Sequence, residues 1–126
     1  MRLILSTDVR NDRAAVIKNR LDAGGVAGRL ELRTAAHLLL ATCALSYPCA
    51  TVSAGVLTFE AIADDLATDN DGTIDYGDFL DSNGTIIMHC GAGLAASDEV
   101  IKLPSLSVVA GGKVIVLSAA FIESNE

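Results

Sequence analysis

A chain of 126 residues is long enough for one domain that removes roughly two-thirds of its unfolded surface from water, and its 51% of hydrophobic residues can supply a core. No apolar run reaches the ~20 residues of a membrane-spanning helix, and a formal charge of −7 sets the bulk of the chain against nucleic acid. Three cysteines, Cys43, Cys49 and Cys90, without CxxC spacing predict reduced thiols rather than a disulfide framework or a zinc site.

The apolar residues are mostly Ala, Val, Leu and Ile, with no Trp and only Tyr47, Tyr76, Phe59, Phe79 and Phe121 as aromatics, a palette suited to closely packed sheets. Charge is uneven. Residues 1–33 hold seven of the nine basic residues and four of the sixteen acidic ones, so a basic end precedes an acidic body. The opening Met1-Arg2-Leu3-Ile4-Leu5 is too short for a signal-peptide core, which predicts synthesis in the cytoplasm and retention of the full chain.

The first predicted element is a helix over 7–24, capped by Thr7 or Asp8 and stopped by Gly24-Gly25. Ala14, Ile17 and Leu21 recur at helical spacing, with Val16 widening the stripe, and Arg10, Asp12, Arg13, Lys18, Arg20 and Asp22 mark the wet side. From residue 30 the period changes to two. Leu30-Glu31-Leu32-Arg33-Thr34 alternates as a half-buried strand does, and the second half of His37 to Leu45 reads as a buried strand before the Ser46-Tyr47-Pro48 turn. Val52, Val56, Leu57 and Phe59 form one further extended segment with a bend or bulge at Ser53-Ala54-Gly55.

Thr73 to Leu80 and Thr85 to Cys90 flank Asp81-Ser82-Asn83-Gly84, a hairpin with glycine where positive φ is needed. Short strands follow at Val100 to Leu103, Leu106 to Val109 and Lys113 to Leu117, split by Pro104 and Gly111-Gly112. Six to eight strands at such spacing predict a mainly β single domain over 1–126, a β-sandwich or jelly-roll-like fold over 30–126 with one N-terminal helix.

The run from Asp69 to Phe79 resembles the second part of an EF-hand calcium loop, with Gly72 at its sharp turn and Asp78 at the closing ligand position. That alignment puts Ala67 at the first position, where an Asp ligand is needed, and leaves no room for an exiting helix. The segment reads instead as two consecutive β-turns rich in Asp, Asn and Gly. Gly91-Ala92-Gly93 lacks the third glycine of a dinucleotide loop. His89 and Cys90 are adjacent in sequence, but neighbours on a strand face opposite ways, which spoils a nucleophile pair. His37 and His89 stand far apart in sequence and read as packed or surface side chains rather than ligands. No catalytic, cofactor-binding or metal-ligating residue is therefore predicted, and the chain reads as a non-enzyme.

In serial order, the helix from Asp8 to Ile17, Leu21-Asp22-Ala23-Gly24-Gly25, Leu30-Glu31-Leu32-Arg33, Ser46-Tyr47-Pro48, Ala54 to Phe59, Asp81-Ser82-Asn83-Gly84-Thr85 and Ser107 to Val114 resemble small virion proteins of tailed bacteriophages, over most of the chain. Where such proteins often carry an aromatic-Ala-Arg stretch, this one has Tyr76-Gly77-Asp78. The resemblance implies a capsid cement or decoration protein at the virion surface. Its implied partner is the major capsid protein, and it would form homo-oligomers, dimers or trimers, without binding nucleic acid or membrane. A head-to-tail connector, a tail structural protein and a ligand- or calcium-binding β-sandwich module are the alternatives.

Overall fold

The computed structural model describes residues 6–66 and 68–122. The Met1 to Leu5 opening, the end of the 30–126 span and Ala67, first position of the calcium-loop alignment, lie outside those residues. The chain is mainly β with one N-terminal helix and a large curled mixed sheet, β-sandwich-like in form, as the sequence predicts.

Helix α1 spans Thr7–Leu21. Ser6, rather than Thr7 or Asp8, is its cap: the hydroxyl accepts from the Val9 N–H at 3.2 Å, satisfying one of the orphan donors of the first turn. The helix stops three residues short of the predicted end. The Asp22 N–H still reaches Lys18 O, and left-handed Gly24 and Gly25 turn the chain beyond it. Ala14 and Leu21 are fully buried and Ile17 partly so, but Val16 is 58% exposed and does not widen the stripe. Arg10 is not on the wet side either. It packs against the Gly55 turn with its Nε buried.

The strands are β1 Arg29–Arg33, β2 Leu39–Ala44, β3 Ala50–Ser53, β4 Val56–Phe59, β5 Gly72–Thr73, β6 Tyr76–Leu80, β7 Ile86–Leu94, β8 Ile101–Leu103, β9 Ser107–Val108 and β10 Ser118–Ile122. Eight lie in one sheet, in the order β2-β1-β6-β7-β8-β10-β4-β3, and β5 and β9 make a two-stranded ribbon. The segment read as one bent strand is a hairpin of β3 and β4, because Ala54 and Gly55 both take positive φ and close a two-residue turn. Lys113 to Leu117 is not a strand. It contributes a single bridge, Val114 to Asp65, and the last strand starts at Ser118. Thr73 belongs to the ribbon rather than to the β6–β7 hairpin.

Connectivity forces the curl. The outermost strands β2 and β3 are consecutive in the chain, joined by residues 45–49 with a cis Tyr47-Pro48 bond. In a flat sheet seven steps of about 4.8 Å would separate them by about 34 Å, whereas the link spans at most about 20 Å. The sheet therefore rolls until its ends approach. Inside the roll, Phe59 of β4 stacks on Phe79 of β6 with centroids 4.4 Å apart, joining opposite walls of a core that includes Leu30, Leu32, Leu57, Ile101 and Leu103.

The outer edge of β2 is covered, and β3 is anchored at its two ends. Along β2, the Thr42 N–H donates to Asp65 Oδ2, the Ala63 and Asp69 N–H groups donate to Ala44 O and Leu40 O, and Asn70 Nδ2 donates to Leu39 O. Helix α1 is tied to both ends of the β3 arm, where Asp22 Oδ1 accepts from the Cys49 N–H and Asn11 Oδ1 from the Gly55 N–H. Covered edges block strand addition by another chain.

The step from β7 to β8 is parallel, made by only the residues 95–100. So short a return works because it lies across the face of β7. A Cβ on Gly93 would collide with Ser97 Oγ, and one on Gly91 would overlap the Glu99 carboxylate. The Gly-Ala-Gly run gives the Ser97 and Glu99 side chains of the return loop room rather than cradling a phosphate.

Candidate functional site: a ring of polar side chains on the outer sheet face

Alternation decides what this face carries. On β1, Leu30 and Leu32 point into the core and Arg29, Glu31 and Arg33 point out. Antiparallel register sets Arg33 opposite Tyr76 and Glu31 opposite Asp78, and then Asp78 opposite His89 on β7. Three neighbouring strands thus present one continuous polar surface. Glu31 receives Arg29 Nε at 2.9 Å and Arg33 Nη2 at 2.7 Å. Burial alone would raise its carboxyl, but the two guanidinium hydrogen bonds outweigh that and hold it below the ordinary value.

Asp78, with only 9% of its side chain exposed, accepts from His89 Nδ1 at 2.7 Å and lies 3.8 Å from Arg33 Nε. An ionised carboxylate only accepts, so the Nδ1 nitrogen of His89 carries the proton. His89 itself is 62% exposed. Its ring lies 4.4 Å from that of Tyr76, and the Tyr76 hydroxyl shares a 2.8 Å hydrogen bond with His37 Nδ1 on the far side. Arg33 Nη1 donates to His37 O at 3.0 Å. The contacts close on themselves: His37, Tyr76, His89, Asp78, Arg33 and back to His37.

Histidines 52 residues apart in sequence therefore meet around one tyrosine, which their separation did not suggest. A signal was present in the period-two Arg-x-Glu-x-Arg of β1. The missing information was the register that aligns them. Chemically the ring can hold or pass protons. Among the described residues, neither histidine bonds to a serine, threonine or cysteine that it would activate, and no three His, Cys, Asp or Glu side chains are placed to hold a metal.

The cysteines are poor nucleophiles. Burial, then the Asp65 charge, pushes Cys43 up to about 11; burial and Asp22 push Cys49 up to about 12; burial, Asp78 and Glu99 push Cys90 up to about 12. The acidic segment does not converge either. Asp71 Oδ1 accepts from the Ala110 N–H, Asn70 ties down to β2, and Gly72 enters the ribbon. Only the second of the two predicted β-turns forms as a closed turn, with Gly84 N–H donating to Asp81 O; the first is a bend leading into β5.

Apolar side chains are also exposed elsewhere. Around the isolated Asp65–Val114 bridge, Val114 and Val116 are buried while Lys113, Ile115 and Leu117 are exposed, and Lys113 Nζ lies 3.7 Å from Asp64. Leu66 is 70% exposed and Ile115 and Leu117 also face solvent. No known protein family matches the sequence, and neither a curated protein nor a solved structure shows a significant similarity to it.

Proposed function

We propose that the chain is a cement or decoration protein of a tailed-bacteriophage capsid, bridging major capsid subunits on the virion surface as a dimer or trimer and carrying out no chemistry. The observation that carries this reading is the solvent exposure of Leu66, Ile115 and Leu117 in the segments around the Asp64–Lys113 pair, apolar side chains that a partner surface would cover. The covered β2 edge supports it, because it directs association there to side-chain faces. The serial resemblance of its segments to phage virion proteins supports it too.

A contact of roughly 1,000 Å² or more suffices for a specific interface, and repetition around a shell multiplies it. A ligand that binds only the assembled shell stabilises that state by mass action. Particles stripped of the protein should lose DNA at lower temperature or under osmotic shock, and added protein should restore resistance in a saturable way. The double variant Leu66→Glu, Ile115→Glu should keep the melting temperature of the isolated chain yet rebind at least tenfold more weakly, a loss of about 1.4 kcal/mol. Recovery of a few copies confined to the neck or tail would favour the connector reading, and recovery from infected cells only would reject a virion role.

A further inference from the structure

We infer that the ring of His37, Tyr76, His89, Asp78 and Arg33 is a pH-sensitive latch on the β1–β2 turn, closed when both histidines are neutral and released when both are protonated. The inference is independent of the virion reading. Its starting point is a strained residue. His37 takes φ 72, a left-handed conformation that a side chain with a Cβ occupies only when its surroundings insist. Two members of the ring supply that insistence: Tyr76 holds the imidazole at 2.8 Å and Arg33 holds the carbonyl at 3.0 Å. The turn closes through His37 N–H to Thr34 O at 2.9 Å and Thr34 N–H to Leu38 O at 3.0 Å.

The charges facing the ring come from β1, β6 and the β7–β8 return loop, with Lys102 of β8 held against that loop at Ser97 O. Strand β1 supplies Arg29, Glu31 and Arg33, β6 supplies Asp78, and the return loop supplies Glu99, whose carboxylate covers Gly91 opposite Tyr76. With neutral histidines the two arginines balance Glu31 and Asp78. Imidazoles ordinarily titrate between pH 5 and 8. Protonated His89 keeps and strengthens its bond to Asp78, drawing on the carboxylate that also faces Arg33. Protonated His37 then adds a second cation on the residue whose carbonyl the Arg33 guanidinium already holds. The patch gains two positive charges against the carboxylates of Asp78, Glu31 and Glu99, and release of the turn relieves both the repulsion and the left-handed strain.

Amide exchange in the full chain tests this, corrected at each pH for intrinsic rates. Protection of the Thr34 and His37 amides should fall about tenfold between pH 7.5 and 5.5 while β1 and β6 amides hold. The variant His37→Asn tolerates positive φ and does not titrate; it should fold normally and lose most of that pH response. Ring carbon shifts of His37 and His89 should move in the same interval as the turn amides. Unchanged protection in the wild-type chain, or an equal fall in His37→Asn, would overturn the latch.

Discussion

Asp81 closes the β6–β7 turn with a single carboxylate oxygen, Oδ1, which accepts the Asn83 N–H at 3.0 Å and the Thr85 N–H at 2.9 Å. Gly84 follows with φ 86, the region where a side chain is strained. Gly84→Val should therefore lower stability by about 1 kcal/mol or more, and Asp81→Ala by about 1–2 kcal/mol. Denaturant midpoints measure both, and an unshifted midpoint for Gly84→Val would contradict the turn geometry. Glu31 makes a prediction about pH. Its carboxyl is held below the ordinary 4.5, so it contributes stability that is fully present above about 4.5 and lost as pH falls through the lower folded value. Glu31→Gln should accordingly be less stable than the wild type at pH 6, and the gap should close progressively below pH 4.5. A gap that widened in acid would reverse the sign of this coupling.

At the scale of elements, the β7–β8 step rests on two residues without side chains. Ser97 Cβ, 2.9 Å from where a Gly93 Cβ would stand, belongs to the loop backbone's immediate neighbourhood and cannot swing away, whereas the Glu99 carboxylate over Gly91 can. Gly93→Val should cost about 1–3 kcal/mol through overpacking and displacement of the return loop, with Gly91→Ala costing less. Exchange of the β8 amides would show the same order, and equal effects at the two positions would argue against a loop laid on the strand. The helix and strands that the sequence announced are present: α1 by its 3.6-residue spacing, β1 by alternation and β2 as the second half of an apolar run. Misread elements are those where position depends on a partner. Val52 to Phe59, read as one extended segment with a bend or bulge at Ser53-Ala54-Gly55, folds back fully into a hairpin because Ala54 and Gly55 both take positive φ, and Lys113 to Leu117 alternates as a strand would while holding only one bridge.

At the scale of the whole molecule, several polar side chains of the 64–78 stretch hold segments of the fold together. Asp65 and Asn70 fasten the chain to β2, Asp71 fastens residues 109–110, and Asp78 belongs to the outer-face ring. Calcium at millimolar concentration should thus release no binding heat and leave the melting temperature unchanged. A micromolar site abolished by Asp71→Ala would show that the segment rearranges into a coordination loop. The three thiols should likewise react slowly with an alkylating reagent at pH 7.5 in the folded chain and rapidly once unfolded, because burial keeps them protonated.

By itself the sequence determined the class of this protein: a helix followed by strands, a mainly β fold, the hairpin at Asp81 to Gly84, and thiols without disulfide or zinc spacing. These are local matters, set by side-chain period, turn chemistry and spacing, all of which act within a few residues. The tertiary structure alone decided the roll of the sheet, the parallel β7–β8 step and the meeting of His37 and His89 around Tyr76. Each depends on register between strands distant in the chain. A shift of one residue would send Glu31, Asp78 and Tyr76 into the core, and what fixes the register is the burial of Leu30, Leu32 and Phe79 on the opposite face, a condition satisfied only when the whole sheet is assembled.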